Sequence, residues 1–241
     1  MVKLVHAGDS IYFVADASLG PKRYEIDGRT YERFMDFIYL PAPTEELTVA
    51  QTVIVNTLRH RYRRRVEWSL NTYVRGLLCR INDQLAPASV IELGVGFNPL
   101  YNSFALQFEY LCLDLDELAV TAARGRGLRA DLFRDESKLS MPDNAVDAIL
   151  AAYVLHFALS ANQLDELARV LSPEGYLIGN VYRRSAVSRA ALLASLQDRD
   201  FFVQSRRLRG GEGHELWIAS PDARSLAGIT RVADAELGGA T

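Results

Sequence analysis

Residues 90–100 read Val90-Ile91-Glu92-Leu93-Gly94-Val95-Gly96-Phe97-Asn98-Pro99-Leu100. An apolar run leads into an acid, then into two glycines one residue apart, then into Asn-Pro. That order reads as strand, tight turn, helix start. Gly94 and Gly96 can take positive φ and have no Cβ, so the backbone there can turn sharply and come close to a ligand. Asn98 suits a helix N-cap and Pro99 the first helical position, which predicts a helix over 99–107. A second apolar run, Leu111-Cys112-Leu113, ends at Asp114, 22 residues after Glu92. An acid at the end of the next strand can accept hydrogen bonds from both hydroxyls of a ribose.

Downstream, the pattern alternates. Strands are expected at 90–92, 110–114, 129–131, 145–152 and 176–181, with helices at 116–124, 162–171 and 185–198. Such alternation gives a parallel sheet with helices on both faces. Residues 202–208 and 214–219 flank Gly210-Gly211-Glu212-Gly213 and read as a hairpin, which adds one antiparallel strand. Upstream, Ile11–Val14 reads as a strand, and Asp27-Gly28 joins 23–26 to 29–32 as a hairpin. Residues 44–86 carry apolar side chains at i+4 from Ile54 to Leu78, with a capping box at Thr48-Val49-Ala50-Gln51. One unbroken helix there would span roughly 55–60 Å, too long for a small domain, so a break is expected near Arg59–Arg65 or Gly76.

The expected fold class is α/β: a doubly wound, seven-stranded, mostly parallel sheet with an antiparallel terminal strand, plus an N-terminal α+β cap. The expected divisions are a capping region at 1–86, a cofactor domain at 87–220 and a weakly ordered tail at 221–241, rich in Ala, Gly and Asp. Tyr12, Tyr24, Tyr31, Phe34, Phe37 and Tyr39 make the N-terminal region aromatic, as expected of a cover over a substrate.

The chain has 241 residues, 49% hydrophobic and 24% charged, with a net charge of −3, so nothing global attracts nucleic acid or an anionic membrane. Its two cysteines, Cys79 and Cys112, suggest neither a disulfide framework nor a metal cluster. No signal peptide or membrane span is expected, and the expected setting is cytoplasmic. Arg59-His60-Arg61-Tyr62-Arg63-Arg64-Arg65 could meet RNA phosphates or an anionic small molecule; a solvated helix face with Tyr62 turned to the core is the reading adopted. Nucleic acid is therefore not the expected partner, and a homodimer is compatible with the sequence.

Together these motifs resemble the class I S-adenosylmethionine-dependent methyltransferases over about residues 88–220. Glu92-Leu93-Gly94-Val95-Gly96-Phe97-Asn98 is similar to the family's acid-x-Gly-x-Gly-x-Gly loop, with Asn98 replacing the third glycine. Close packing beneath a pyrophosphate needs that glycine; S-adenosylmethionine has no phosphate, so the change argues against NAD and is tolerable here. The resemblance implies S-adenosylmethionine as cofactor. It implies that Glu92, Gly94, Gly96 and Asn98 form the loop, that Asp114 with Leu115 meets the ribose, and that Asp131 with Leu132 meets the adenine. Residues 141–149 and 167–177 resemble the family's approaches to the fourth and fifth strands, and the terminal hairpin its reversed last strand. Asp147 reads as a structural cap.

Tyr153-Val154-Leu155-His156 follows the fourth strand, whose carboxyl end faces the transferring methyl in that fold. His156 is a candidate general base, Tyr153 a candidate wall of the sulfonium site, and Tyr182 and Asn180 candidate substrate contacts. His214, beside the terminal turn, reads as surface. No metal site is expected. The leading expectation is methyl transfer to oxygen or nitrogen of a small molecule, in specialised metabolism. The rivals are a cyclisation or aminocarboxypropyl transfer that releases methylthioadenosine, an RNA methyltransferase, and a non-catalytic cofactor-binding scaffold.

Overall fold

Two tight turns organise the N-terminal strands. The chain forms β1 (Leu4–Gly8), β2 (Ile11–Val14), β3 (Arg23–Ile26), β4 (Arg29–Met35) and β5 (Ile38–Pro41), then α1 (Val49–Tyr62). Asp9-Ser10 joins β1 to β2 and Asp27-Gly28 joins β3 to β4; φ is positive at both residues of each turn, from 45° to 74°. That is the two-residue turn whose twist matches the flanking strands. The result is an antiparallel sheet in the order β1-β2-β5-β4-β3. The strand at 38–41 was not legible as an alternating pattern because all four side chains are buried. The capping box forms: Thr48 Oγ1 accepts from Gln51 N, and Gln51 Oε1 from Thr48 N. The rings pack on one another, Tyr12 on Tyr31, Tyr24 on Tyr39, and Phe13 and Phe37 on Tyr62.

This computed structural model describes residues 3–16, 20–35, 37–42, 47–62, 69–102, 106–157, 159–182, 184–208 and 213–238. The chain divides into two compact units, Met1–Trp68 and Ser69–Thr241. Arg63, Arg64 and Arg65 of the arginine cluster lie outside the described residues.

The second unit comprises α2 (Ser69–Leu85), β6 (Ser89–Leu93), β7 (Glu109–Asp114), α3 (Glu117–Arg124), β8 (Arg129–Leu132), β9 (Val146–Ala151), α4 (Ala161–Val170), β10 (Leu171–Val181), α5 (Ala186–Gln197), β11 (Phe202–Arg207), β12 (Glu215–Ser220) and α6 (Ala223–Gly238). The seven strands lie in the order β11-β12-β10-β9-β6-β7-β8. Pairing is parallel from β10 through β8, and β12 runs antiparallel to both β10 and β11. Period-2 alternation divides the apolar side chains between two cores. Val90, Cys112, Ala148 and Ile178 face the side covered by α2, α3 and α6, while Ile91, Leu111, Ile149 and Leu177 face α4 and α5.

Three expectations change. The segment 69–85 belongs to the sheet unit rather than the N-terminal region, because Val74, Leu77, Leu78 and Ile81 are completely buried in its core. Much of the expected loose tail is helix α6, whose Leu226, Ile229, Thr230 and Ala233 recur at helical spacing and are buried. Alanine is the best helix former, and that offsets the glycines around it. The helix expected from Pro99 is not formed over 99–102, which runs as bends; residues 103–105 lie outside the described residues. The Asn98 carbonyl, which would accept the first helical bond, is instead taken by the Arg75 guanidinium.

Candidate functional site

The turn after β6 is built as the glycines require. Gly94 has φ +69° and Gly96 φ +54°. A Cβ on Gly94 would stand 2.3 Å from Val154 Cγ2, whereas one on Gly96 would meet nothing within 4 Å. So Gly94 lets the turn after β9 pack against the loop, and Gly96 leaves its own side open. Leu113 O accepts from both Gly94 N (2.7 Å) and Val95 N (3.1 Å), which ties the loop to β7.

Asp114 ends β7, 5% exposed. Its Oδ2 accepts from Gly96 N at 2.8 Å and its Oδ1 from Asp116 N at 2.9 Å. Burial raises its pKa, and those two amides oppose the rise. Asp116, not Asp114, caps α3, accepting from Leu118 N. A carboxylate offers about four acceptor sites, so Asp114 retains capacity for hydroxyl donors.

Glu92 is completely buried. Its Oε2 accepts from Leu100 N at 2.8 Å and from the Tyr110 hydroxyl, and its Oε1 makes no hydrogen bond. Burial lifts its pKa to about 7, against the pull of Arg75, Tyr110 and the Leu100 amide. Helix α2 braces the same segment. Arg75 holds Asn98 O, the Cys79 thiol approaches Leu100 O (3.8 Å), and Tyr101 Oη meets Asn82 Nδ2 (3.0 Å) and Asp83 Oδ1 (2.9 Å). The residues that follow the glycines are thus fixed by side chains rather than by a helix. Asn98 itself is exposed.

Asp131 and Leu132 end β8, with Asp131 half-exposed and paired to Arg124 at 3.1 Å. Leu115 is half-buried beside Asp114. Asp147 is the structural cap expected of it: its Oδ2 accepts from Ala88 N, Ser89 N and Ser89 Oγ.

A second cluster forms where β9 and β10 end. Tyr153 has φ +59°, which a bulky residue adopts only under constraint. Its N–H is held by Asn180 Oδ1 at 2.7 Å. Asn180 is completely buried and positions Tyr153 through this bond. Tyr182 Oη lies 3.3 Å from His156 Nε2. His156 is 2% exposed and Tyr182 7%, while Tyr153 is only half-buried. The Tyr153 and Tyr182 rings meet edge to face at 5.3 Å.

Two participants escaped the sequence reading. His214 is not an isolated surface residue: it stacks on Tyr182 with centroids 4.6 Å apart and planes 15° apart. Register is the missed signal. Val181 pairs with Glu215, so in an antiparallel pair the next position brings Tyr182 opposite His214. Arg184 is the other. It donates to Leu155 O (2.6 Å), Phe157 O (2.7 Å) and Ser188 Oγ (2.7 Å), binding the turn that carries His156 to the start of α5.

Away from this edge, a groove of about 640 Å³ lies between α5, β11 and α6, lined by Phe202, Arg206, Thr230 and Asp234 among others. It shares no residue with the two clusters above. Among the described residues no group of three or more His, Cys, Asp or Glu could hold a metal, and no helix is long and apolar enough to cross a membrane.

Residues 91–179 match the methyltransferase domain family, a stretch that runs from within β6 into β10. No curated protein matches the chain significantly in sequence. Among solved structures, the fold is similar to a TehB-like S-adenosylmethionine-dependent methyltransferase from Corynebacterium glutamicum, with 16% identity, TM-score 0.53, and 69% of this chain and 99% of that one covered. It is also similar to the 1,6-didemethyltoxoflavin-N1-methyltransferase of Burkholderia thailandensis, with 16% identity, TM-score 0.54, and 83% and 98% covered. A third similar structure is the [4+2]-cyclase SpnF, with 18% identity, TM-score 0.51, and 67% and 76% covered. Residues 91–179 thus carry the methyltransferase-domain match, and the sheet around them has the fold seen in those methyltransferase structures. The protein is an S-adenosylmethionine-dependent transferase, and S-adenosylmethionine is its cofactor.

The chemistry of the loop is compatible with that cofactor: Gly96 has an open side, and the buried Asp114 carboxylate bonded to its amide keeps acceptor capacity of the kind ribose hydroxyls need.

Proposed function

We propose that the protein transfers the methyl group to oxygen or nitrogen of a small molecule bound beside Tyr153, Tyr182 and His156. One observation carries this reading: Val154 packs on Gly94, which puts the Tyr153–His156 turn directly against the cofactor loop. When bound, S-adenosylmethionine supplies a methyl group already activated on a sulfonium. In this reading Asp114 accepts the ribose hydroxyls, and Asp131 and Leu132 lie toward the adenine. Glu92 acts indirectly, fixing the Leu100 amide and so the path of the chain past Asn98.

The chain's remaining task is orientation and proton removal. Holding an acceptor in line at near contact can supply much of the rate. Tyr153 is preorganised for this, because Asn180 fixes a backbone conformation that would otherwise cost about 1–3 kcal/mol. A neutral hydroxyl must lose its proton, and the Tyr182–His156 pair stands ready to take it. An amine can release its proton after transfer and needs no such base.

The test is incubation with S-adenosylmethionine and a panel of small phenols, catechols and amines, read by mass spectrometry. S-adenosylhomocysteine should accumulate in step with an acceptor that has gained one methyl group. Methylthioadenosine formed from the cofactor alone would replace this reading with cyclisation or aminocarboxypropyl transfer.

A further inference from the structure

The rings at the ends of β9, β10 and the start of β12 form a single assembly. Tyr182 lies at its centre. Tyr153 meets it edge to face at 5.3 Å, His156 packs tilted at 4.3 Å, and His214 lies parallel at 4.6 Å. His214 also meets Tyr153 at 6.2 Å, with planes 69° apart. Exposure separates the members. His156 and Tyr182 are buried, whereas Tyr153 and His214 are each only partly covered.

Both partly covered rings are held in place from behind. Tyr153 keeps its left-handed backbone through Asn180. His214 lies between two points that Arg189 of α5 grips: Gly213 O (2.6 Å) and the Glu215 carboxylate (2.9 Å). Glu215 also accepts from Trp217 Nε1 at 2.8 Å. Asn180, which is completely buried, fixes Tyr153, and the partly covered Arg189 fixes both neighbours of His214, so these polar-tipped rings are held at the surface, partly covered, rather than enclosed in a core. Such rings keep part of their aromatic faces open to solvent in a fixed orientation.

We infer that Tyr153 and His214 are the acceptor-binding platform and that the acceptor is a flat aromatic or heteroaromatic molecule, with His214 as a specificity-determining residue. This rests on the acceptor lying beside the Gly94–Gly96 loop, as proposed above. A planar acceptor gains from stacking and edge contacts with each ring, and the Tyr153 hydroxyl adds a hydrogen bond to its substituents. A saturated ring of the same size gains only the area it buries.

The test uses the full chain saturated with S-adenosylhomocysteine and two probes of similar size, p-nitrophenol and cyclohexanol, titrated by calorimetry. The wild type should bind p-nitrophenol saturably and cyclohexanol at least about fivefold more weakly. His214→Leu, which replaces the ring with an aliphatic side chain of similar bulk, should weaken p-nitrophenol about fivefold, while His214→Phe, which keeps a ring face, should stay within about twofold of wild type. S-adenosylhomocysteine affinity should be the same in all three proteins. Equal affinity for the two probes, no saturable p-nitrophenol binding, or His214→Leu matching the wild type would each overturn the platform while leaving the cofactor site standing. Failure of the wild type to bind S-adenosylhomocysteine would instead overturn both readings.

Discussion

Glu92 shows how a single buried carboxylate links fold to pH. Unfolded, it titrates near 4.5; folded, burial lifts it to about 7. The native state therefore holds the proton more tightly than the unfolded chain. This contribution is greatest below pH 4.5, falls as pH rises toward 7, and is flat above. At about 1.4 kcal/mol for each tenfold change in proton affinity, the loss across the window approaches roughly 3 kcal/mol. Glu92→Gln keeps the acceptor for Tyr110 and the Leu100 amide but cannot ionise. Urea unfolding at pH 5 and pH 8 should show the stability difference between the two pH values shrinking by more than half in the variant. An unchanged difference would place the titration elsewhere. At this scale the sequence was legible where chemistry is local. The glycines, Asp114 and the Asp147 cap follow from residue type and strand ends. His214 and Arg184 were not legible, because their partners are set by strand register and by a loop's return to α5, which no local pattern encodes.

Elements were read well where period and punctuation agreed. Asp116 before α3, Ser160 before α4 and Ser185 before α5 each accept an amide of the first turn, as N-caps should. The reading failed where tertiary contacts overrode the local signal. Asn98-Pro99 looks like a helix start, yet Arg75, Cys79, Asn82 and Asp83 of α2 hold the segment in bends. In α6 the opposite happened: glycines and aspartates masked an apolar stripe that fits the sheet. Ile229, 4% exposed, packs in the same core as Val74, Leu78 and Ile218. Ile229→Ala should cost about 2–4 kcal/mol, measured by chemical denaturation of the full chain. A loss below about 0.5 kcal/mol would mean that α6 is not seated on the sheet.

On the scale of the whole sheet unit, strand order decides where the site falls. From β6 the chain moves outward to β7 and β8, then returns to β9 on the other flank and proceeds to β10. The order reverses between β6 and β9, and in such folds ligands bind beyond the carboxyl ends of the strands at that reversal. Gly94 and Val154, the residues in contact there, follow β6 and β9 respectively. Asp114, at the end of β7, closes the same edge and binds the loop through the Gly96 amide. Topology thus brings a glycine turn, a buried acid and an aromatic cluster to one rim from distant parts of the chain. The claim that this rim is the cofactor site is tested most directly by calorimetric titration of S-adenosylhomocysteine into the wild type and Asp114→Ala. Loss of the charge-assisted bonds to the ribose should weaken binding more than tenfold, about 1.5–3 kcal/mol, in a variant that remains folded. Equal affinity in the two proteins would contradict it.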